Sequence, residues 1–403
     1  MFAMQRVLLL LSALFALYAC TSTVPQTQPV SPPAVIEQPA AVAPVPAPEA
    51  VETTPAPVVL PNITPFPHIA LLLPVKSDIF GPAANAVEQG FFAAADSNSK
   101  TLMMPVRVYS DFDENNSVVA AYRQAIANGA RAVVGPLTRN GVSALAAEKD
   151  IPVPTLALNM VDGQFAPKLY FFGMAVEAEA KQVAQLAKKQ GLHQAIIVAT
   201  NTPLSLRLQS AFEDEWTNSA HGEVRGILRE IVYSGDPSVF ADIADTADTV
   251  VFLAADAEKS RLIRPYLPNK LPVYATSQVF TGNDNALANY DLTGVHFVDM
   301  PWLLQPDHPA VMIYPHPNPP LSASRERLYA LGIDSFRLIE LLIAGTVNSD
   351  LPLDGVSGQL RLNGHTFERT ALPAVLSQGH AQLGDTPALP SSQMFPAQTI
   401  TPP

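Results

Sequence analysis

The stretch Ile69-Ala70-Leu71-Leu72-Leu73-Pro74 decides the fold class. It is a short, continuous apolar run that ends in proline, which is typical of a strand buried on both faces. A helical pattern over 83–96 and a second strand over 106–109 follow it. A strand, a helix and a strand joined by short connections predict a parallel sheet covered by helices.

The same alternation continues along the chain. Further strands are predicted over 132–136, 154–158, 194–199, 226–232, 249–253, 273–276 and 294–298, and a second set of elements begins after 169–173. Further helices are predicted over 117–128, 142–149, 177–190, 204–219, 237–244, 257–265, 322–331 and 333–344. Residues 355–365 predict a β-hairpin with its turn at Asn363-Gly364. We therefore predict an α/β fold of two lobes, each a doubly wound parallel sheet. The predicted first lobe comprises 67–173 and 276–345, and the second comprises 174–275 and 346–383.

The prolines are unevenly distributed. Of the 39 in the chain, thirteen lie between Pro25 and Pro67, in a stretch that contains no Lys or Arg. Such a composition favours polyproline II, at ~3.1 Å per residue, and cannot form a packed core. We predict a disordered tether over 20–66, which spans at most on the order of 140 Å. The polar, proline-rich residues 384–403 predict a disordered tail.

Cys20 is the only cysteine in 403 residues, so it cannot form an intramolecular disulfide. It follows a short hydrophobic segment over 7–19 that has the character of a signal peptide. The run Leu17-Tyr18-Ala19-Cys20-Thr21 resembles the bacterial lipoprotein signal. That resemblance implies removal of residues 1–19 and acylation of Cys20, palmitate included. No aspartate follows Cys20, and in the Gram-negative sorting pattern this implies the outer membrane, with the protein facing the periplasm.

Composition excludes several classes of function. Charged residues make up only 15% of the chain and the net charge is −12, which argues against nucleic-acid binding. There is no phosphate-binding loop, nucleophile elbow or dinucleotide fingerprint, and the eight histidines show no ligand spacing. We predict no catalytic residue, no metal and no cofactor. Asp111, Asp113 and Glu114 follow a predicted strand, where a solvated loop or helix cap is favoured over a ligand site.

Ligands of open α/β sheets bind beyond the carboxyl ends of the strands. An amino-acid ligand needs hydroxyl and backbone N–H groups for its carboxylate and an acid for its amine. Side chains of these kinds follow the predicted strands, and small-molecule binding between the lobes therefore stays open. The candidate residues, here called the rim residues, are Ser77, Thr138, Asn140, Asn159, Asp256 and Ser277; Asp78, Arg139 and Gln278 adjoin them.

The order of several segments resembles the LppC/LpoA family of outer-membrane lipoproteins. They are Ile69–Pro74, Gln89-Gly90-Phe91, Val133–Thr138, Pro154–Asn159 and Phe172–Ala180. The resemblance covers about 68–376 and implies a fold like that of type I periplasmic binding proteins. It also implies a non-catalytic protein that binds and activates a class A penicillin-binding protein, with peptidoglycan as a further contact. The alternative is a lipoprotein that binds amino acids or similar polar solutes.

One feature departs from the family pattern. Well-known members have a helical-repeat domain before this fold, whereas residues 21–66 show no period of that type. Any contact that this domain makes in the family is therefore not expected from residues 21–66.

Overall fold

The computed structural model describes residues 65–97, 104–110, 112, 117–218, 225–244, 246–347 and 352–384. Cys20, the predicted tether up to residue 64, the three acidic residues Asp111, Asp113 and Glu114, and the predicted tail after residue 384 lie outside the described residues.

Fifteen strands and ten α-helices are described. The strands are β1 (His68–Leu72), β2 (Val106–Tyr109), β3 (Ala130–Val134), β4 (Thr155–Ala157), β5 (Leu169–Phe172), β6 (Gln194–Ala199), β7 (Gly226–Val232), β8 (Thr249–Ala254), β9 (Val273–Ala275), β10 (Val295–Asp299), β11 (Leu353–Asp354), β12 (Gln359–Asn363), β13 (Thr366–Thr370), β14 (Leu372–Ser377) and β15 (His380–Leu383). The helices are α1 (Gly81–Ser97), α2 (Val118–Ala127), α3 (Arg139–Ala146), α4 (Val176–Lys189), α5 (Pro203–Thr217), α6 (Ala257–Ile263), α7 (Ala286–Asn289), α8 (Pro301–Leu304), α9 (Pro309–Met312) and α10 (Ala323–Ala344).

The strands form two sheets. The first has the order β11-β12-β13-β5-β4-β3-β1-β2, and the second has the order β15-β14-β10-β9-β8-β6-β7. Pairing is parallel from β13 through β2 in the first sheet and from β10 through β7 in the second. The predicted α/β fold with two lobes is therefore confirmed.

Strand β1 lies inside the first sheet and is buried on both faces, as predicted. Ile69 and Leu71 pack in one hydrophobic cluster, whereas Ala70 and Leu72 pack in the cluster on the opposite face. This follows from the period of two in a strand, which directs alternate side chains to opposite faces.

The division of the chain between the lobes differs from the prediction. Strand β10 (within 276–345) pairs with β9 in the second sheet, whereas β12 and β13 (within 346–383) belong to the first sheet. The hairpin itself is confirmed, but Leu360 and Phe367 pack in the core of the first lobe. Strand β13 joins β5 in parallel through the pair Phe367 and Phe172. The chain thus crosses between the sheets three times, after β5, β10 and β13.

Helix α10 is one continuous helix, and the prediction of two helices separated at Gly332 is wrong. Gly332 lies where α10 meets α1, and a Cβ at this position would stand 2.1 Å from the Val87 carbonyl oxygen. Gly90 of α1 lies equally close to the backbone of α10: a Cβ at Gly90 would stand 1.9 Å from the Tyr329 carbonyl oxygen. The glycine therefore serves the close packing of two helices and does not end one.

Candidate functional site

Two rim residues of the first lobe bind the backbone of the helices that follow them. The Ser77 hydroxyl accepts a hydrogen bond from the Phe80 amide at 3.1 Å, just before α1 begins. The Thr138 hydroxyl caps α3 by accepting from the Gly141 amide at 3.2 Å. Both oxygens satisfy amides at helix starts, which is the usual role of these residue types at this position.

Asn159 and Asn140 complete the rim of the first lobe. Asn159 donates from its amide nitrogen to the Leu137 carbonyl at 3.1 Å and accepts from the Met160 amide at 2.9 Å. It therefore links the loops after β3 and β4. Asn140 is exposed in the first turn of α3.

The two rim residues of the second lobe have different environments. Asp256 caps α6 by accepting from the Lys259 amide at 2.9 Å. Ser277 is buried, and its backbone amide donates to the Glu179 carboxylate at 3.1 Å. Ser277 therefore lies in a buried polar cluster and does not line an accessible surface.

Arg327 is the centre of that cluster and joins the two lobes. It belongs to α10 of the first lobe, yet its guanidinium contacts the Asp299 carboxylate at the end of β10, with N–O distances of 2.5, 3.0 and 3.2 Å. The same guanidinium donates to the carbonyls of Ser277 and Phe280, each at 3.0 Å. Both charged side chains are buried. Burial lowers the pKa of Arg327, but attraction by Asp299 outweighs it, so the pKa is raised and the guanidinium stays charged.

A second buried ion pair joins the lobes nearby. The Glu179 carboxylate of α4 accepts from the Arg369 guanidinium of β13 at 2.6 Å. Arg369 also donates to the Ser357 carbonyl at 3.2 Å. Glu179 also accepts from the Ser277 amide, and Arg327 donates to the Ser277 carbonyl. The two ion pairs are therefore linked through the backbone of Ser277.

Asp334 extends this network into the first lobe. Its carboxylate accepts from the amides of Val356 and Ser357 at 3.1 and 2.8 Å, and from the Ser357 hydroxyl at 2.6 Å. Arg337 donates to it at 3.1 Å. These contacts hold the segment between β11 and β12 against α10. We call Glu179, Asp299, Arg327, Asp334 and Arg369 the interlobe network.

The interlobe network is not predictable from local sequence patterns. One signal was present: Arg327 and Asp334 lie seven residues apart, on one face of an otherwise largely apolar helix. Their partners come from β10, the segment after β9 and the segment before β12, and no spacing in the sequence connects those elements.

A family model described as "LppC putative lipoprotein" matches residues 34–232 and 239–370, which is well over half of the chain. The chain belongs to the LppC family. The predicted resemblance is thereby confirmed, and membership supports the prediction of a lipoprotein.

Curated relatives of this LppC chain are named "Penicillin-binding protein activator LpoA". The protein from Photobacterium profundum is 24% identical over 338 residues, covering 75% of this chain and 54% of the relative. The protein from Haemophilus influenzae is 26% identical over 284 residues, covering 68% and 47%. The chain spans about half the length of the curated relatives it matches.

Solved structures share the fold of this LppC chain. The C-domain of Haemophilus influenzae LpoA, described as a regulator of PBP1A, aligns with a TM-score of 0.64 at 23% identity, covering 79% of this chain and 99% of that domain. A "putative branched-chain amino acid ABC transporter" from Chromobacterium violaceum aligns with a TM-score of 0.66 at 38% identity, covering 77% of this chain and all of that one. Both neighbours support the fold expected of a type I periplasmic binding protein.

Proposed function

We propose that this chain is an outer-membrane lipoprotein, anchored through Cys20, that binds and activates a class A penicillin-binding protein and performs no chemistry itself. The stretch over 20–66 then links the anchor to the two-lobed domain, with peptidoglycan as a further contact. The names of the curated relatives support this proposal, as does membership of the LppC family. Among the described helices, none is both long and apolar enough to cross a bilayer.

The observation that favours activation over solute binding is the state of the rim residues. Ser77, Thr138 and Asp256 accept hydrogen bonds from helix-start amides of this chain, and Ser277 is buried. A ligand amine would compete with the Lys259 amide for the Asp256 carboxylate, and a ligand would reach Ser277 only if the buried cluster around it opened. The rim therefore suits a structural role better than solute capture.

The interlobe network supports the same proposal. A solute-binding protein of this fold closes its lobes around the ligand, by a hinge motion. Here Arg327 and Arg369 each join the lobes through a buried ion pair, at 2.5 Å to Asp299 and 2.6 Å to Glu179. Relative movement that separated either pair would leave a charge buried without a partner, at a cost of several kcal/mol. Lobes held in this way present a constant surface to a partner protein.

Reconstitution tests the proposal. The purified lipoprotein is added to a class A penicillin-binding protein, and glycan polymerisation and peptide crosslinking are measured along with the Kd. We expect binding and faster synthesis. The Cys20→Ser variant should stimulate equally in detergent solution but lose its effect in cells, because only anchoring is removed. Absence of both binding and stimulation by the wild-type protein would refute the proposal.

Binding of an amino acid is the second candidate. It is favoured by one observation, the 38% identity to the Chromobacterium violaceum protein named for branched-chain amino acids. A thermal-shift panel of amino acids checks it, because a ligand that binds the folded state raises Tm in a concentration-dependent way. A specific shift that disappears in Asp256→Asn would favour solute binding.

A further inference from the structure

A surface cavity of about 400 Å³ lies between α1 and the loop before α10, and none of the rim residues lines it. Its lining includes three side chains of α1, two of the loop and one of α10: Glu88, Phe92, Asp96, His316, Asn318 and Tyr329. No residue of the rim or of the interlobe network is among its lining residues.

The walls of this cavity are held in place by contacts on both sides. Gly90 allows the backbone of α1 to pack directly against the Tyr329 carbonyl. The Tyr329 hydroxyl donates to the Pro315 carbonyl at 2.7 Å, which ties the loop to α10. The His316 ring lies 4.6 Å from the buried Trp302 ring. The cavity is therefore preorganised, which reduces the entropy cost of binding.

The cavity has an acidic and aromatic wall. Glu88, Phe92 and Asp96 follow one another at intervals of four residues, so they share one face of α1. Within the described part of the chain, neither carboxylate has a hydrogen bond or an ion pair, and no Lys or Arg lines the cavity. Burial raises the pKa of Glu88, as expected of a half-buried carboxylate with no cation beside it. A positive charge placed here would be stabilised.

The cation must match a site with separated carboxylates and aromatic surface. In the described ranges no three His, Cys, Asp or Glu side chains come close enough to hold a metal ion. A guanidinium fits better, because its plane stacks on aromatic rings while its N–H groups bind carboxylates. We propose that this cavity receives an arginine side chain of a partner protein.

The occupant is more readily supplied by another protein than by this chain. Outside the described ranges the only Lys or Arg residues are Arg6, in the predicted signal peptide, and Lys100. The net charge of −12 also attracts a basic partner. Arginine is enriched at the centres of protein interfaces, where it binds in pockets. The inference rests on the proposed function for the partner's identity, namely the penicillin-binding protein.

The first experiment measures the pocket without the synthase. Saturation-transfer NMR on the full-length protein compares acetyl-Gly-Arg-Gly-amide with the same peptide carrying uncharged citrulline. We expect the arginine peptide to bind about tenfold more tightly, because a charge-assisted contact is lost with citrulline. Glu88→Gln with Asp96→Asn should remove this preference, and Phe92→Leu should weaken binding about threefold. The matched control Glu258→Gln with Asp291→Asn alters exposed acids elsewhere and should change nothing.

Three results would overturn the inference. The first is equal binding of the two peptides, and the second is the same preference for the arginine peptide in the Glu88 and Asp96 double variant. The third is binding that appears only in Lys100→Met, which would make this chain's own lysine the occupant. Circular dichroism and urea midpoints confirm that each variant is folded.

The second experiment uses the synthase. We expect the Glu88 and Asp96 double variant to raise the Kd for the penicillin-binding protein about tenfold relative to wild type, and the control variant to leave it unchanged. An unchanged Kd in the double variant would overturn the pocket's role in docking the synthase. If the wild-type chain does not bind the synthase, the proposed function fails, while the peptide result decides the pocket separately.

Discussion

Replacement of Arg327 by Met tests whether the interlobe network couples the two lobes. The substitution removes the ion pair with Asp299 and the hydrogen bonds to the Ser277 and Phe280 carbonyls. Asp299, whose side chain is fully buried, is left without its counter-charge. Breaking one side of a buried ion pair costs about 3–5 kcal/mol, and we expect this loss in the free energy of unfolding.

A double-mutant cycle separates the ion pair from general damage. Asp299→Asn alone leaves the Arg327 charge buried, whereas the Asp299→Asn, Arg327→Met protein has neither charge. We expect the double variant to lose less stability than the sum of the single variants, by about 1–3 kcal/mol. Strict additivity would refute the reasoning.

The two tryptophans provide the assay, because each lobe contains one. Trp302 packs in the core of the first lobe and Trp216 in that of the second. Trp216→Phe and Trp302→Phe backgrounds therefore report on one lobe each during urea unfolding. We expect coincident transitions in the otherwise wild-type protein and separate transitions after Arg327→Met. Coincident transitions with an unchanged midpoint in the Arg327 variant would show that the network does not couple the lobes.

Two further predictions concern the first and second lobes separately. Gly332→Ala should lower the free energy of unfolding by about 1–3 kcal/mol although alanine favours helices, because the new Cβ would stand 2.1 Å from the Val87 carbonyl oxygen. Ser324→Ala, at an exposed position of the same helix, is the control. An equal change in stability for both variants in urea unfolding would contradict the prediction. Burial lowers the pKa of His296, so below about pH 6.5 the unfolded chain binds more protons than the folded chain and the free energy of unfolding falls. His296→Gln should therefore lose less stability than wild type between pH 7.5 and 5. Parallel curves of stability against pH for the two proteins would contradict the prediction.

Local sequence patterns predicted many elements of the fold. Strand β1 was predictable because a short, continuous apolar run that ends in proline favours a fully buried strand, and β2, β6 and β7 have the predicted bounds. The interruption predicted at Gly332 was wrong because glycine has the same local signal whether it ends a helix or allows another helix to approach. Only contact with Val87 in α1 distinguishes these cases.

The candidate site was less predictable than the fold. Thr138 and Asp256 follow strands β3 and β8, but the sequence does not show that their side-chain oxygens accept hydrogen bonds from helix amides. The cavity beside Glu88 is formed by α1 and a loop more than two hundred residues later in the chain. No periodicity links such distant segments.

The sequence by itself determined the alternation of strands and helices, the resemblance to the LppC family and the position of the single cysteine, because these depend on neighbouring residues and their order. The tertiary structure decided which sheet receives β10, β12 and β13, and where the buried charges meet. Glu179 and Arg369 are 190 residues apart and lie 2.6 Å from each other. Pairs of this kind exist only once the three crossings bring the lobes together, because their partners are chosen by packing and not by spacing along the chain.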